Sequence, residues 1–325
     1  MELDAIGFGS LNLDEFWEVE TDFLTSNGLE PGHEYVKDLR WFQKAYPLLQ
    51  RGGILKASDP GGSAANMIAA LNRMGFRTGF FGAAGEKDAE MLRFHELGKP
   101  RHVCVKRLDV PAGRCLALID REDTGRDRCL VILPNANDHA GQGALDIEMF
   151  NKAKWIHLTS FVSEEPLNAQ CLLVERVSSE IKISFDPGVV YVTKGLNALL
   201  PILKRTNILF TTQEELETLV PQGAPHTRAR TLIEMGIETV VVKQGAKGIL
   251  ACEPDETNFQ PSVSPKEIID RTGAGDVAAA GFIAGKLRNL STKKCLHLAA
   301  LAASRSIEGF GRSAYPDSSI LEQIE

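Results

Sequence analysis

Asp270-Arg271-Thr272-Gly273-Ala274-Gly275-Asp276-Val277-Ala278-Ala279-Ala280-Gly281 is the stretch on which the reading of this chain turns. Gly-Ala-Gly at the entrance of a helical pattern exposes consecutive backbone N–H groups, which with the helix dipole form a socket for phosphoryl oxygens. Asp276 stands at that socket. A carboxylate there repels a resting pyrophosphate, yet it is useful if it receives a proton from an attacking hydroxyl. The plain alternative is a first-turn carboxylate that offsets the dipole and does no chemistry. Gly273-x-Gly275-x-x-Ala278 also satisfies the permissive dinucleotide pattern, but the same carboxylate argues against that use. No Walker A motif is present, because Gly285-Lys286 is followed by leucine and has the wrong glycine spacing.

Some 200 residues upstream, Asp59-Pro60-Gly61-Gly62-Ser63-Ala64-Ala65-Asn66 runs straight into a helical pattern over residues 64–74. Paired glycines let backbone approach a ligand closely, and the small residues after them keep the helix entrance open. Asn66, on the first turn, offers an acceptor and a donor that can grip a vicinal hydroxyl pair; helix capping is the simpler role. Gln244-Gly245-Ala246-Lys247-Gly248 follows a strand at 239–242, the position at which nucleotides lie in doubly wound sheets. A tight hairpin turn would look the same. Lys243 and Lys247 are placed to assist phosphates. Gly7-Phe8-Gly9 begins like a dinucleotide fingerprint, but Asn12 stands where the third glycine belongs.

Between these motifs strands alternate with helices. β-rich runs at 4–9, 79–82, 155–158, 181–185, 208–211 and 239–242 are separated by helical patterns at 64–74, 164–178, 213–220 and 226–235. That order predicts βαβ units, a mostly parallel sheet and an α/β fold class. Residues 11–19 and 103–134 break the alternation, with a hairpin expected at 115–133 turning at Asp123-Thr124-Gly125. Inserted strands of this kind form either a lid or an extra edge of the sheet.

Composition removes other classes. The 325 residues carry 36 basic and 43 acidic side chains, a net charge of −7, so no basic field exists to neutralise nucleic acid. The longest apolar runs, 277–285 and 296–303, are far too short to span a membrane. An acidic start, Met1-Glu2-Leu3-Asp4, is unlike a signal or transit peptide, and a cytoplasmic protein is expected. The six cysteines never come within 10 residues of one another and the seven histidines form no metal-spaced cluster, so disulfides and a transition-metal site are not expected.

With the second and fourth motifs in this order, the sequence resembles the ribokinase-like (PfkB) family of sugar and nucleoside kinases. Gly61-Gly62-x-x-x-Asn66 is similar to its N-terminal signature, and Asp270-x-Thr272-Gly273-Ala274-Gly275-Asp276 to its C-terminal one. The stretch from Gly82 to Asp88 resembles its G-x-x-G-x-D, Phe185-Asp186-Pro187-Gly188 its mid-chain DP motif, and Gly9-Ser10-Leu11-Asn12-Leu13-Asp14 its first strand with a sugar-contacting acid. The pattern around residues 23–66 looks closer to the adenosine-kinase-like sugar kinases than to the shortest ribokinases.

The resemblance implies a single ribokinase-like three-layer α/β/α domain over 1–325, with a small β lid inserted at about 11–22 and 103–134. It implies an ATP-dependent kinase that transfers the γ-phosphate to a hydroxyl, expected to be primary, of a sugar or sugar-like molecule. Asp276 is then the general base; the amides of Gly273, Ala274 and Gly275 form the anion hole; Asp14, Gly62 and Asn66 bind acceptor hydroxyls. Lys243, Gly245, Gly248 and Thr272 fall on the nucleotide side. Glu215, in register with the family's Asn-x-x-Glu, would order Mg2+ through water, although Thr212 replaces the asparagine. Asp270 would lie beside a monovalent cation such as K+. A nucleoside acceptor and a weakly catalytic nucleotide- or sugar-binding regulator are the alternatives. Phe16 and Trp17, just past Asp14, are placed to stack on a base or cover a sugar ring. An exposed lid edge offers a route to a homodimer.

Overall fold

The computed structural model describes residues 2–85, 102–122, 128–141, 143 and 145–324. Asp88 and the turn Asp123-Thr124-Gly125 lie outside the described residues. Two sheets carry the fold. The larger has nine strands: β1 (Leu3–Phe8), β5 (Thr78–Gly85), β6 (His102–Leu108), β9 (Ala153–Thr159), β10 (Lys182–Asp186), β11 (Ile208–Thr212), β12 (Thr239–Lys243), β13 (Gly248–Cys252) and β14 (Thr257–Pro261). Their order is β14-β13-β12-β11-β10-β9-β1-β5-β6. Every pairing from β6 to β12 is parallel, and only the β12–β13–β14 edge is antiparallel.

Central strands of a parallel sheet are covered on both faces and so read as continuous apolar runs. All six residues of β1 are buried. One face packs against α3 (Ser63–Arg73), α10 (Ala274–Leu287) and α11 (Thr292–Ser306), through residues such as Ile68, Phe282 and Leu298. The other packs against α5 (Glu164–Arg176), α7 (Leu196–Leu203), α8 (Gln213–Leu219) and α9 (Pro225–Glu234), through Leu173, Ile202, Leu216 and Leu232. The result is the expected ribokinase-like three-layer α/β/α arrangement. The remaining described α-helices are α1 (Thr21–Ser26), α2 (Leu39–Gly52), α4 (Ile147–Asn151) and α6 (Gly188–Val192), of which α4 and α6 bury Phe150 and Tyr191 in the same core as Leu173 and Ile202.

The second sheet has five strands in the order β3-β8-β7-β2-β4. It is larger than the two insertions expected from the sequence. Besides β2 (Asn12–Val19), β7 (Gly113–Asp120) and β8 (Arg128–Leu133), it takes β3 (Glu34–Val36) and β4 (Ile54–Gly61), while residues 102–108 join the large sheet instead. β7 and β8 pair antiparallel from Arg114↔Leu133 to Ile119↔Arg128, as the hairpin pattern requires. β2 alternates, with Leu13, Glu15, Trp17 and Val19 buried and the residues between them facing the cleft side. Trp17 therefore packs into the lid core against Tyr46 and donates its indole N–H to Glu15 at 2.9 Å, so it does not cover an acceptor. Phe16 shares the face of Asp14 and stacks under the Arg128 guanidinium, 5.4 Å from its ring centre.

From β1, the chain reaches β5 and β6 on one side and β9 and β10 on the other, so strand order reverses between β1 and β9. Ligands of open α/β sheets bind beyond the carboxyl ends of the strands at such a reversal.

Candidate active site

The carboxyl ends of β1 and β9 open into a cavity of about 360 Å³ lined by Asn12, Asp14, Gly62, Asn66, Gly273 and Asp276, among others. Three separate segments meet there: β2 brings Asp14, the β4–α3 junction brings Gly62 and Asn66, and the mouth of α10 brings Asp276. The junction needs glycine for steric reasons. A Cβ on Gly61 would lie 2.1 Å from Asp14 Oδ2, and one on Gly62, which has φ +96°, would lie 2.1 Å from the Ser10 carbonyl oxygen. The expected acceptor-side residues Asp14, Gly62 and Asn66 are thus brought together with Asp276.

Gly273 adopts a left-handed φ of 75° and starts α10, with Asp276 in its first turn. Among the described residues the N–H groups of Gly273, Gly275 and Asp276 have no protein acceptor, whereas that of Ala274 reaches the Arg271 carbonyl at 3.3 Å. Three amides at the mouth of α10 are thus left without a protein acceptor, while that of Ala274 closes a turn. Asp276 Oδ2 accepts a hydrogen bond from Asn66 Nδ2 at 2.9 Å. Withdrawal from water, with the Asn66 hydrogen bond opposing and the Asp186 charge assisting, raises the Asp276 carboxyl to about 7. Asp14 is also raised to about 7, chiefly by its withdrawal from water, and its Oδ1 is buried without a partner. An orphaned carboxylate oxygen that lines a cavity is suited to accept a hydrogen bond from a hydroxyl of a bound ligand.

A second cavity, of about 500 Å³, is lined by Lys243, Gly245, Gly248, Ile268, Ala278 and Ala300 among others, and is more apolar in its walls. Gly275 lines both cavities. Gly245 and Gly248 do form a hairpin, since β12 and β13 are antiparallel, and that hairpin is one wall of this second cavity. The hairpin reading of Gln244-Gly248 holds. Lys243 Nζ pairs with Asp186 Oδ2 at 2.5 Å and lies 3.5 Å from where a Gly275 Cβ would be. Burial works against its charge, but Asp186 and Glu215 outweigh it and keep the ammonium above its ordinary range. Thr272 is exposed, and its hydroxyl accepts from Arg128 at 3.3 Å.

Glu215 and Thr212 form a capping box at the start of α8: Thr212 Oγ1 accepts from the Glu215 N–H at 3.2 Å, and Glu215 Oε2 accepts from the Thr212 N–H at 2.8 Å. Burial raises the Glu215 carboxyl, assisted by Asp186. Among the described residues no group of three or more His, Cys, Asp or Glu is arranged to hold a metal ion. The donor set nevertheless fits Mg2+ of the kind held by substrate phosphates, water and one or two carboxylates. Glu215 Oε1 and Asp186 would hold its hydration shell.

Asp270, which the resemblance places beside a monovalent cation, is buried and accepts one backbone N–H on each carboxylate oxygen. Its Oδ1 accepts from the Thr272 N–H at 3.0 Å, its Oδ2 from the Gly311 N–H at 3.4 Å, and the Arg128 guanidinium stands 4.0 Å from Oδ1. These contacts fix the turn into Thr272 and touch the lid through Arg128, and each carboxylate oxygen keeps acceptor capacity beyond them.

Two groups at the site carry no sequence signal that the motif reading could use. Arg312 donates Nε–H to Asn66 Oδ1 at 3.1 Å, and Tyr315 is buried with its hydroxyl 3.1 Å from where a Gly273 Cβ would be. Both lie on the irregular segment after α11. Asp186 was visible only as part of its Asp-Pro-Gly motif.

The class of protein that this fold and paired clefts define is an α/β phosphotransferase working between a nucleotide and a polyhydroxyl acceptor. The sequence pattern described as pfkB family carbohydrate kinase matches residues 57–318. An uncharacterized sugar kinase of Archaeoglobus fulgidus is 33% identical over 246 residues, covering 74% of this chain and 95% of that protein. A nucleoside kinase of Methanocaldococcus jannaschii is 24% identical over 266 residues, 77% of this chain and 80% of that one. Among solved structures, the adenosine kinase of Sinorhizobium meliloti superposes with a TM-score of 0.83 at 18% identity, covering 100% of both chains. This chain belongs to the pfkB family, and is an ATP-dependent phosphotransferase of the sugar and nucleoside kinase group. No helix among the described residues is long and apolar enough to cross a membrane.

Proposed function

We propose that the protein transfers the γ-phosphoryl group of ATP to a hydroxyl, a primary one, of a sugar or sugar-like acceptor. The observation that carries this reading is the position of Gly275, at the junction of the two cavities and at the mouth of α10. An acceptor held by Asp14 and Asn66 points its hydroxyl at the same amides that face the nucleotide cleft. Asp276 takes the hydroxyl proton as the oxygen–phosphorus bond forms and the bond to the β-phosphate oxygen breaks, releasing ADP. The N–H groups of Gly273 and Gly275 offset the charge of the phosphoryl in flight, and Lys243 stands beside Gly275 to assist. Mg2+, when bound with the nucleotide, neutralises phosphate charge.

A nucleoside acceptor is the second reading. It is favoured by the apolar wall of the acceptor cavity, Ile132, Phe161, Val162 and Val190, on which a base could lie. The edge strand β4, where Ile54 and Leu55 are about half exposed, is our candidate for pairing with a second copy of the chain. Sedimentation at micromolar concentration tests that; a monomer at every concentration refutes it.

The central test is ADP release from Mg·ATP with a panel of pentoses, hexoses and nucleosides. Turnover confined to hydroxylated acceptors of one class is expected. Bound ATP with no turnover on any acceptor would replace the kinase reading with the regulator.

A further inference from the structure

Asn66 links two groups of opposite character. Its Oδ1 accepts from Arg312 Nε at 3.1 Å and its Nδ2 donates to Asp276 Oδ2 at 2.9 Å. The side chain is largely buried although it lines the acceptor cavity, and both ends are engaged by protein partners. An amide has two ends of nearly equal shape, and which end meets which neighbour is decided by the network. Arginine has donors and no acceptor. An arginine on one side of Asn66 therefore requires oxygen on that side and leaves N–H for the other.

We infer that Arg312 is a positioning residue for the base: by holding the oxygen of Asn66 it compels the amide to donate to Asp276 and so keeps that carboxylate in its proton-accepting form. This rests on the reading of Asp276 as base. Without Arg312 the amide is free to turn over and present its oxygen to Asp276. A carboxylic acid then donates to that oxygen, and the neutral form is favoured instead of the ionised one.

Charges around the pair set the background on which this acts. Asp276 faces Asp186 and Lys243 from β10 and β12, Ser63 from α3 and Asn66. Arg312 faces Asp14 from β2, Asp59 from β4, Tyr315 and Asp276, and Asp270 acts on Asp59 and Asp14. Burial works against the Arg312 charge, while Tyr315 and Asp14 support it. Its Nη1 and Nη2 have no well-aligned acceptor, the Tyr315 hydroxyl lies close enough to interact with the guanidinium, and the Nε bond to Asn66 is its best-formed directed contact among the described residues. A buried cation whose best-formed hydrogen bond goes to the amide which contacts the acid is placed to orient and not merely to staple the C-terminal segment.

The test is the pH profile of kcat/KM. In Arg312→Met the acid limb should move up by about one pH unit, which is about a tenfold loss at pH 6 that is recovered by pH 9, from loss of a hydrogen bond to a charged group. Arg312→Lys, which also only donates, should keep the limb near that of the unmodified enzyme. Arg312→Leu, which has no donor for the Asn66 oxygen, should behave like the methionine variant and replaces it if that variant does not fold. The KM for ATP should stay within about threefold. In an Asn66→Ala background Arg312→Met should add no further shift, because the link is already cut. A full additional shift there would mean that Arg312 acts by its charge alone, and an equal loss at all pH values would mean a structural role; either overturns the inference. Asp276→Asn measured alongside separates the two claims. If it retains turnover, the base assignment fails; if it is inactive while the Arg312 profiles do not move, only the present inference fails.

Discussion

Replacing Asp276 by asparagine changes one oxygen to an amide nitrogen in a side chain whose shape is otherwise kept. The Asn66 N–H can still find an oxygen at position 276, so the local fold has no reason to give way. Two opposite effects are expected. Turnover should fall by about 10² or more, the usual size of a general-base contribution, with the KM for ATP unchanged within a few-fold. Stability should rise above neutral pH. The sign follows from the folded-state acid sitting at about 7 against an ordinary 3.8. In the folded state the charged form is disfavoured, so stability is full below the unfolded value and is lost as pH rises through 7. The difference corresponds to about 4 kcal/mol for a fully dry site, and to about 2 kcal/mol once the partial access of the cleft to solvent is allowed for. An asparagine never ionises and escapes this penalty. Thermal unfolding at pH 8 should therefore show the variant melting about 4 °C higher than the unmodified protein, and the gap should close by pH 4. Coupled ADP-release kinetics from pH 5 to 9 should show the unmodified enzyme losing activity tenfold per pH unit below about 7 and the variant lacking that limb. Near-normal turnover in the variant, or a melting point lowered at pH 8, refutes the reasoning.

Three further outcomes are expected. Asp14→Asn should raise the KM for the acceptor by about 10-fold to 100-fold, the worth of one hydrogen bond to a charged group, with ATP affinity held; equal damage to ATP binding would make Asp14 a structural residue. Gly61→Ala should do the same by displacement, since its Cβ would fall 2.1 Å from Asp14 Oδ2; unchanged acceptor kinetics would show that the carboxylate need not sit there. Thr212→Ala should cost about 1 kcal/mol through loss of the α8 cap and lower the melting point by about 2 °C. Lost turnover at an unchanged melting point would give Thr212 a part in phosphate or Mg2+ handling instead.

The alternation of β-rich and helical runs places β1, β5, β9, β10, β11 and β12, because central strands are uniformly apolar and their helices keep a 3.6-residue period, but it assigns β6, which lies at the edge of the large sheet, to the lid. Asp14, Gly62, Asn66 and Asp276 were legible because each sits in a short motif whose glycines are required by backbone geometry. β4 was not. It contains Ser58-Asp59-Pro60-Gly61, which reads as a turn, and is tolerated as a strand because it pairs on one side only, with β2. Trp17 was misplaced because a strand side chain can face either side, and only the register with β7 and the packing on Tyr46 decide. Arg312 and Tyr315 come from an irregular segment with no periodicity, and nothing local in their neighbours announces a contact 246 residues away.

Only three residues join β1 to β2, and Gly62 alone separates β4 from α3. The acid that would hold the acceptor thus belongs to one sheet, and the acid and amides that would act on phosphate belong to the layer beneath the other. Variation accumulating along β7, β8 and α2 can remodel what is accepted while leaving the phosphate half untouched. A lineage built on this plan can change its diet without reinventing its chemistry.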